Sequence, residues 1–169
     1  MSTLVYVSGT GVGPDADWRP GFLANLHARL GETPERLARR REPSGDPDVE
    51  RECAVLQWSA EFEDREHALD HAGRMAEPWF GIDQACSRAL NDERERTWGT
   101  PDLRAACAAL DVPVLIIDGA RDLRPRTAVD SLAEALPRVR RVILPEAGHL
   151  PWAEDPDGFR EAIAGWVAR

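Results

Sequence analysis

Two residues of this sequence have the types and the surroundings for proton transfer. Asp122 lies in Asp118-Gly119-Ala120-Arg121-Asp122-Leu123-Arg124-Pro125, and His149 lies in Pro145-Glu146-Ala147-Gly148-His149-Leu150-Pro151-Trp152. Each follows a short apolar run, Val114-Leu115-Ile116-Ile117 before the first and Val142-Ile143-Leu144 before the second. Loops that leave the carboxyl ends of parallel strands are where an open sheet gathers its ligands. A carboxylate and an imidazole on adjacent loops can share a hydrogen bond that fixes the ring tautomer and stabilises the imidazolium formed on proton uptake. His149 would then be a general base, with an Asp122 oxygen within roughly 2.6 to 3.2 Å of a ring nitrogen. Asp118, nearer the strand, is the alternative acid, and Asp122 has a plainer use as the residue that caps the turn before Pro125.

The elements that must position this pair alternate between helix and strand. Thr100-Pro101 caps a helix that buries Leu103, Cys107 and Leu110, and the uninterrupted run 114–117 suits a parallel strand covered on both faces. Pro125 opens a helix with Val129, Leu132 and Leu136 inward, 141–144 forms the next strand, and Asp155-Pro156 starts a helix that turns Phe159, Ile163 and Trp166 to the sheet. Further upstream, residues 3–8 read as a buried strand ending at Gly9-Thr10-Gly11-Val12-Gly13-Pro14. Between about Asp17 and Trp98 the pattern is helical, with starts at Thr33-Pro34, Asp46-Pro47 and Asp64. Val49, Cys53, Leu56 and Ala60 share one face there, as do Leu69, Ala72, Met75 and Ala76.

Strand, Gly-x-x-Asp, Pro, helix, strand, Ala-Gly-His and a helix opened by Asp-Pro together resemble the last third of the α/β-hydrolases, over residues 101–169. The opening strand with Ser8-Gly9-Thr10-Gly11 resembles the family's sixth strand and the loop into a helical cap, particularly in the proline iminopeptidase-like branch. The resemblance implies an α/β class and a partial α/β-hydrolase fold: a three-stranded parallel sheet portion with a helical cap insert. Residues 1–13 would be the first strand and loop of the core, 14–98 the cap, and 99–169 the C-terminal core. In that family the triad runs nucleophile, acid, histidine along the chain, which makes Asp122 the acid and His149 the base. Acidic cap residues bind a substrate amino group in the named branch, but Glu61 and Glu63 follow Trp58 at a spacing that departs from the pattern and stay unassigned.

One part of the pattern is missing. No serine or cysteine has glycine two residues before and two after it: Ser8 is flanked by Tyr6 and Thr10, Ser59 by Gln57 and Glu61, Ser87 by Ala85 and Ala89. In the family the nucleophile elbow follows the fifth strand, which would lie before Met1, so the resemblance implies a catalytically incomplete chain: a fragment, a gene model started late, or a natural remnant. The activity it implies is that of a serine hydrolase on a small-molecule ester or amide, aminopeptidase-like in one version, with no cofactor. The alternative is a non-catalytic remnant that acts as a small-molecule-binding or protein-interaction module.

Composition narrows the remaining classes. Among 169 residues, 43% are hydrophobic and 30% charged, which is globular, and the formal net charge of -9 argues against nucleic acid or an anionic membrane as partner. Arg39-Arg40-Arg41 sits at the end of a predicted helix, where cations complement the dipole. The sequence holds no lysine, which excludes Walker-type phosphate loops, Schiff-base enzymes and Ser-Lys hydrolases. The first residues lack a basic flank and a long apolar stretch, so a cytoplasmic protein is expected, and Cys53, Cys86 and Cys107 read as reduced thiols. His67 and His71 have a spacing that can chelate a metal but no third ligand, and an exposed face is the expectation; His27 has no partner. Pro14 takes the place of the third glycine that a dinucleotide loop needs. Trp18, Trp58, Trp79, Phe80 and Trp98 are expected to fill the cap's own core. Residues 3–8, as an uncovered edge, are expected to favour self-association.

Overall fold

The structure is a computed structural model that describes residues 2–31 and 45–168. The Thr33-Pro34 helix start and the Arg39-Arg40-Arg41 run lie outside the described residues. The sheet has three parallel strands in the order β1 (Leu4–Val7), β2 (Val114–Gly119), β3 (Val139–Leu144). Register runs from Leu4 opposite Val114 to Val7 opposite Ile117, and from Val114 opposite Val139 to Gly119 opposite Leu144. All six residues of the central strand are buried, as its unbroken apolar run requires.

Successive side chains of a strand point to opposite faces, so β2 feeds two separate cores. Val114 and Ile116 pack with Val12 and with Val129, Leu132 and Leu136 of the α6 segment (helix Thr127–Ala135); Leu103 and Cys107 of α5 (Pro101–Ala108) close that side. Leu115 and Ile117 pack with Leu144 and Ala147 against Phe159, Ile163 and Trp166 of α8 (Pro156–Val167), which follows the one-turn α7 (Pro151–Glu154). The caps expected from sequence form: Asp46 accepts from Asp48 N at 2.9 Å, Thr100 from Leu103 N at 3.3 Å and Asp155 from Gly158 N at 3.0 Å. The helix expected to open at Pro125 starts at Thr127, because Pro125 O is spent on a turn to Ala128 N at 2.9 Å.

Four described helices lie between β1 and α5: α1 (Asp15–Leu30), α2 (Pro47–Ser59), α3 (Ala68–Met75) and α4 (Gln84–Thr97). Two expectations about their faces fail. On α3 the buried stripe is Ala68, Ala72 and Ala76, while Leu69 and Met75 are exposed: three alanines let α3 sit close on Phe62, and larger side chains would hold it away. On α2 Val49 is likewise exposed. Trp18 is buried as expected, whereas Phe80 is 89% exposed, beyond the reach of any core. Asp64 receives Glu66 N and His67 N at 3.1 and 3.3 Å in a turn, and α3 begins only at Ala68.

The helical segment is fastened to the two loops that carry the candidate pair. Leu123, next to Asp122, is buried with Leu26 of α1 and Ala60; Leu150, next to His149, is buried with Phe62, Ala68 and Ala72. Asn25 Nδ2 also donates to Leu123 O at 2.8 Å. Burial of each leucine is worth roughly 1.5 to 3 kcal/mol, enough to hold a loop that has no regular structure of its own. No helix among the described residues is long and apolar enough to cross a membrane.

Candidate functional site

Asp122 and His149 meet where β2 and β3 end. The loop after β2 is folded back onto the loop after β3 by Ala120 N to Leu144 O and Arg121 N to Ala147 O, both 2.9 Å. A side chain at Gly119 would put its Cβ 2.0 Å from Gly148 O and 2.1 Å from Ala147 O, so only glycine permits that approach. Between the loops so joined, a 2.7 Å hydrogen bond links His149 Nδ1 and Asp122 Oδ2, with the two side chains 19% and 8% exposed.

The other carboxylate oxygen is also occupied. Asp122 Oδ1 accepts from Arg124 N at 2.8 Å and from Arg124 Nη1 at 3.3 Å. Burial pushes the Asp122 carboxyl up, but the His149 hydrogen bond, the charges of His149 and Arg124 and the Arg124 N–H together hold it below its ordinary value. The Arg124 guanidinium in turn donates to Glu61, Nη1 to Oε2 at 2.8 Å and Nη2 to Oε1 at 3.3 Å, and lies 4.8 Å over the Phe22 ring. Burial lowers the affinity of Arg124 for its proton, and Glu61 and Asp122 more than restore it. Glu61 reaches the histidine as well: its backbone O accepts from His149 N at 3.0 Å.

A third carboxylate ties the same two segments together. Glu154 accepts from Gly148 N at 2.7 Å, from Glu63 N at 2.6 Å and from Asp64 N at 3.1 Å. Arg29 donates to Phe62 O at 2.6 Å and pairs with Glu63. The pairings of Glu61 with Arg124 and of Glu154 with Glu63 escape a local reading of the sequence, because the partners lie 63 and 91 positions apart. The one local signal is Arg124, two residues after Asp122 and able to reach back to it.

The alternative acid is spent elsewhere. Asp118 is buried under Arg141, whose Nε and Nη2 each donate to it at 2.8 Å, and Arg141 also pairs with Asp130. His67 Nδ1 pairs with Asp64 at 2.8 Å, while His71 Nδ1 accepts from Arg74 and its ring stacks on Phe62, so the Nδ1 of each histidine is already engaged. Among the described residues, His, Cys, Asp and Glu atoms close enough to share an ion are those of Glu61, Asp122 and His149, within 4.8 Å of one another. Arg124 already supplies the cation to both carboxylates. The glycine loop after β1 is pinned rather than open: Val12 N and Gly13 N donate to Ser131 Oγ at 3.0 and 2.9 Å. Ser8, where β1 ends, is 94% buried, at 6% exposure, with φ +48° and no hydrogen-bond partner for its Oγ.

No protein-family model matches the chain. Over 61 residues, 36% of this chain and 24% of the relative, it is 41% identical to pimeloyl-[acyl-carrier protein] methyl ester esterase of Nitrosomonas europaea. Over 67 residues, 39% of this chain and 26% of the relative, it is 40% identical to the esterase of the same name from Pectobacterium atrosepticum. The chain thus spans about a quarter of the length of these curated relatives. Among solved structures, meta-cleavage product hydrolase from Pseudomonas fluorescens IP01 superposes with a TM-score of 0.65 at 20% identity, covering 99% of this chain and 56% of that one. An alpha/beta hydrolase fold protein from Chitinophaga pinensis gives 0.60 at 17% identity, covering 99% and 56%. The three parallel strands, the helices on both their faces and the helices between β1 and α5 are accordingly a partial α/β-hydrolase fold, and the curated relatives are named as esterases.

Proposed function

We propose that this chain is the acid-and-histidine portion of a serine hydrolase that cleaves an ester. The observation that carries the reading is the 2.7 Å contact of Asp122 with His149 Nδ1, made by a carboxylate whose second oxygen is also hydrogen-bonded. Asp122 fixes the ring with Nδ1 toward itself, leaving Nε2 to take the proton of an attacking hydroxyl; the imidazolium then returns that proton to the leaving alkoxide, and water repeats the cycle on the acyl-enzyme. No serine here has the glycine spacing of an elbow, so the attacking hydroxyl comes from outside these 169 residues. The esterase relatives favour an ester over the peptides of the proline iminopeptidase-like branch. So does Glu61, whose carboxylate is held by Arg124 and is not free for a substrate amino group.

The test is to express the chain extended by its upstream reading frame. An extended chain carrying Gly-x-Ser-x-Gly is expected to hydrolyse p-nitrophenyl acyl esters, with Asp122→Asn lowering kcat by roughly 10⁴-fold and His149→Ala by roughly 10⁶-fold. The 169-residue chain by itself is expected to stay unlabelled by a fluorophosphonate, since Ser8 is buried and no hydroxyl is activated. An extended chain with an elbow and no turnover, or turnover indifferent to His149, overturns the reading. Stoichiometric labelling of Ser8 would place the nucleophile inside the chain instead. An upstream stop codon with no elbow would favour the non-catalytic binding module.

A further inference from the structure

Asp122 and His149 are joined to a third and fourth charge, those of Arg124 and Glu61. Arg124 is 15% exposed and Glu61 14%, and a buried ion pair of this kind usually contributes little net stability over an apolar pair of the same shape. What distinguishes it is position. The four groups form a row of alternating charge, Glu61, Arg124, Asp122, His149, with every link a hydrogen bond between 2.7 and 3.3 Å. The row also closes on itself, since Glu61 O receives His149 N–H at 3.0 Å.

We propose that Arg124 and Glu61 are positioning residues that set how strongly Asp122 draws a proton onto His149. Arg124 fixes Oδ1 of Asp122 through both its backbone N–H and its guanidinium, which turns Oδ2 to the imidazole. Its charge also opposes the imidazolium, and Glu61 offsets that opposition. The charged groups on neighbouring elements do not replace this pair: Glu63 is paired with Arg29, Glu154 is used by three backbone N–H groups, and Arg121 turns to Glu146 at 3.5 Å. The inference rests on the reading of His149 as a general base for its purpose, but the coupling itself concerns only the proton affinity of His149.

The experiment is therefore a titration that needs no turnover. Diethyl pyrocarbonate modifies only neutral imidazole, so its rate at His149 against pH, read by peptide mass spectrometry on the dilute 169-residue chain, gives the midpoint. Arg124→Met removes the opposing charge and leaves Glu61 unpaired, while the backbone N–H of residue 124 still holds Oδ1 of Asp122; the midpoint is expected to rise by about 0.5 to 2 pH units. Glu61→Gln strengthens the opposition, and the midpoint is expected to fall by a similar amount. Arg124→Lys, which keeps the charge, is expected to stay near the wild type, and exposed His67 serves as the unmoved internal control. A merely structural pair predicts shifts of one common sign for Arg124→Met and Glu61→Gln. Shifts of the same sign, or none, overturn the proposal. Should Arg124→Met fail to fold, Arg124→Gln, which likewise lacks the charge, is read in its place. Opposite shifts together with an inactive extended chain would sink the hydrolase and leave the coupling standing.

Discussion

Asp122 is the residue on which most of the site depends, because both of its oxygens are taken and its side chain is 8% exposed. Its carboxyl is held below the ordinary value of 3.8, so folding favours the ionised form. The stabilisation is complete above the unfolded-state value and is lost as the pH falls through the lower folded-state value. Urea titrations at successively lower pH are expected to show a stability gap between wild type and Asp122→Asn that shrinks as the pH falls below about 4. A gap that is constant down to strong acid would show that Asp122 is not ionised in the folded chain. Asp122 and His149 were legible because each sits in a recognisable short motif that directly follows an apolar run. Glu61, Arg124 and Glu154 were not, since a motif describes neighbours in sequence, and these three act across the interface between the helical segment and the loops.

The elements place those side chains through close backbone approach, which is why Gly119 matters more than its conformational freedom suggests. At Gly119 an added Cβ meets two carbonyl oxygens of the histidine loop at 2.0 and 2.1 Å, and neither can swing aside. Gly119→Ala is expected to push the loops apart and cost about 1 to 3 kcal/mol or more in urea unfolding. Gly73, inside α3 with nothing within 4 Å, is the contrasting case: Gly73→Ala is expected to stabilise by about 0.5 to 1 kcal/mol. Equal costs at both positions would mean that the loop approach at Gly119 is not what fixes the site. Strand 114–119 and the caps at Asp46, Thr100 and Asp155 were readable from sequence, because local chemistry decides them. The buried face of α3 was not. Helical periodicity offers several stripes in a sequence with both alanines and larger apolar residues, and only the partner, here Phe62, selects the alanine stripe.

At the scale of the whole molecule, the unusual feature is the free side of β1. Leu4 is 45% exposed and Val5 36%, and among the described residues β2 is the one strand hydrogen-bonded to β1. Leu4 N donates to Pro113 O and Ser8 N to Ile117 O, each at 3.0 Å, so the alternate N–H groups of Val5 and Val7 point away from β2. An apolar edge with outward donors invites a strand from another chain. The net charge of -9 opposes that approach, and salt screens the opposition, with a Debye length near 8 Å at physiological ionic strength. The chain is therefore expected to self-associate through β1 in light scattering coupled to size exclusion, more strongly as salt is raised. Val5→Pro tests the route specifically, because it deletes an outward donor and touches no bond to β2. That variant is expected to run as a monomer with an unchanged unfolding midpoint. Association that persists in Val5→Pro would assign the contact to another surface, and a wild-type monomer at every salt concentration would show that the exposed edge does not pair even with its charge screened.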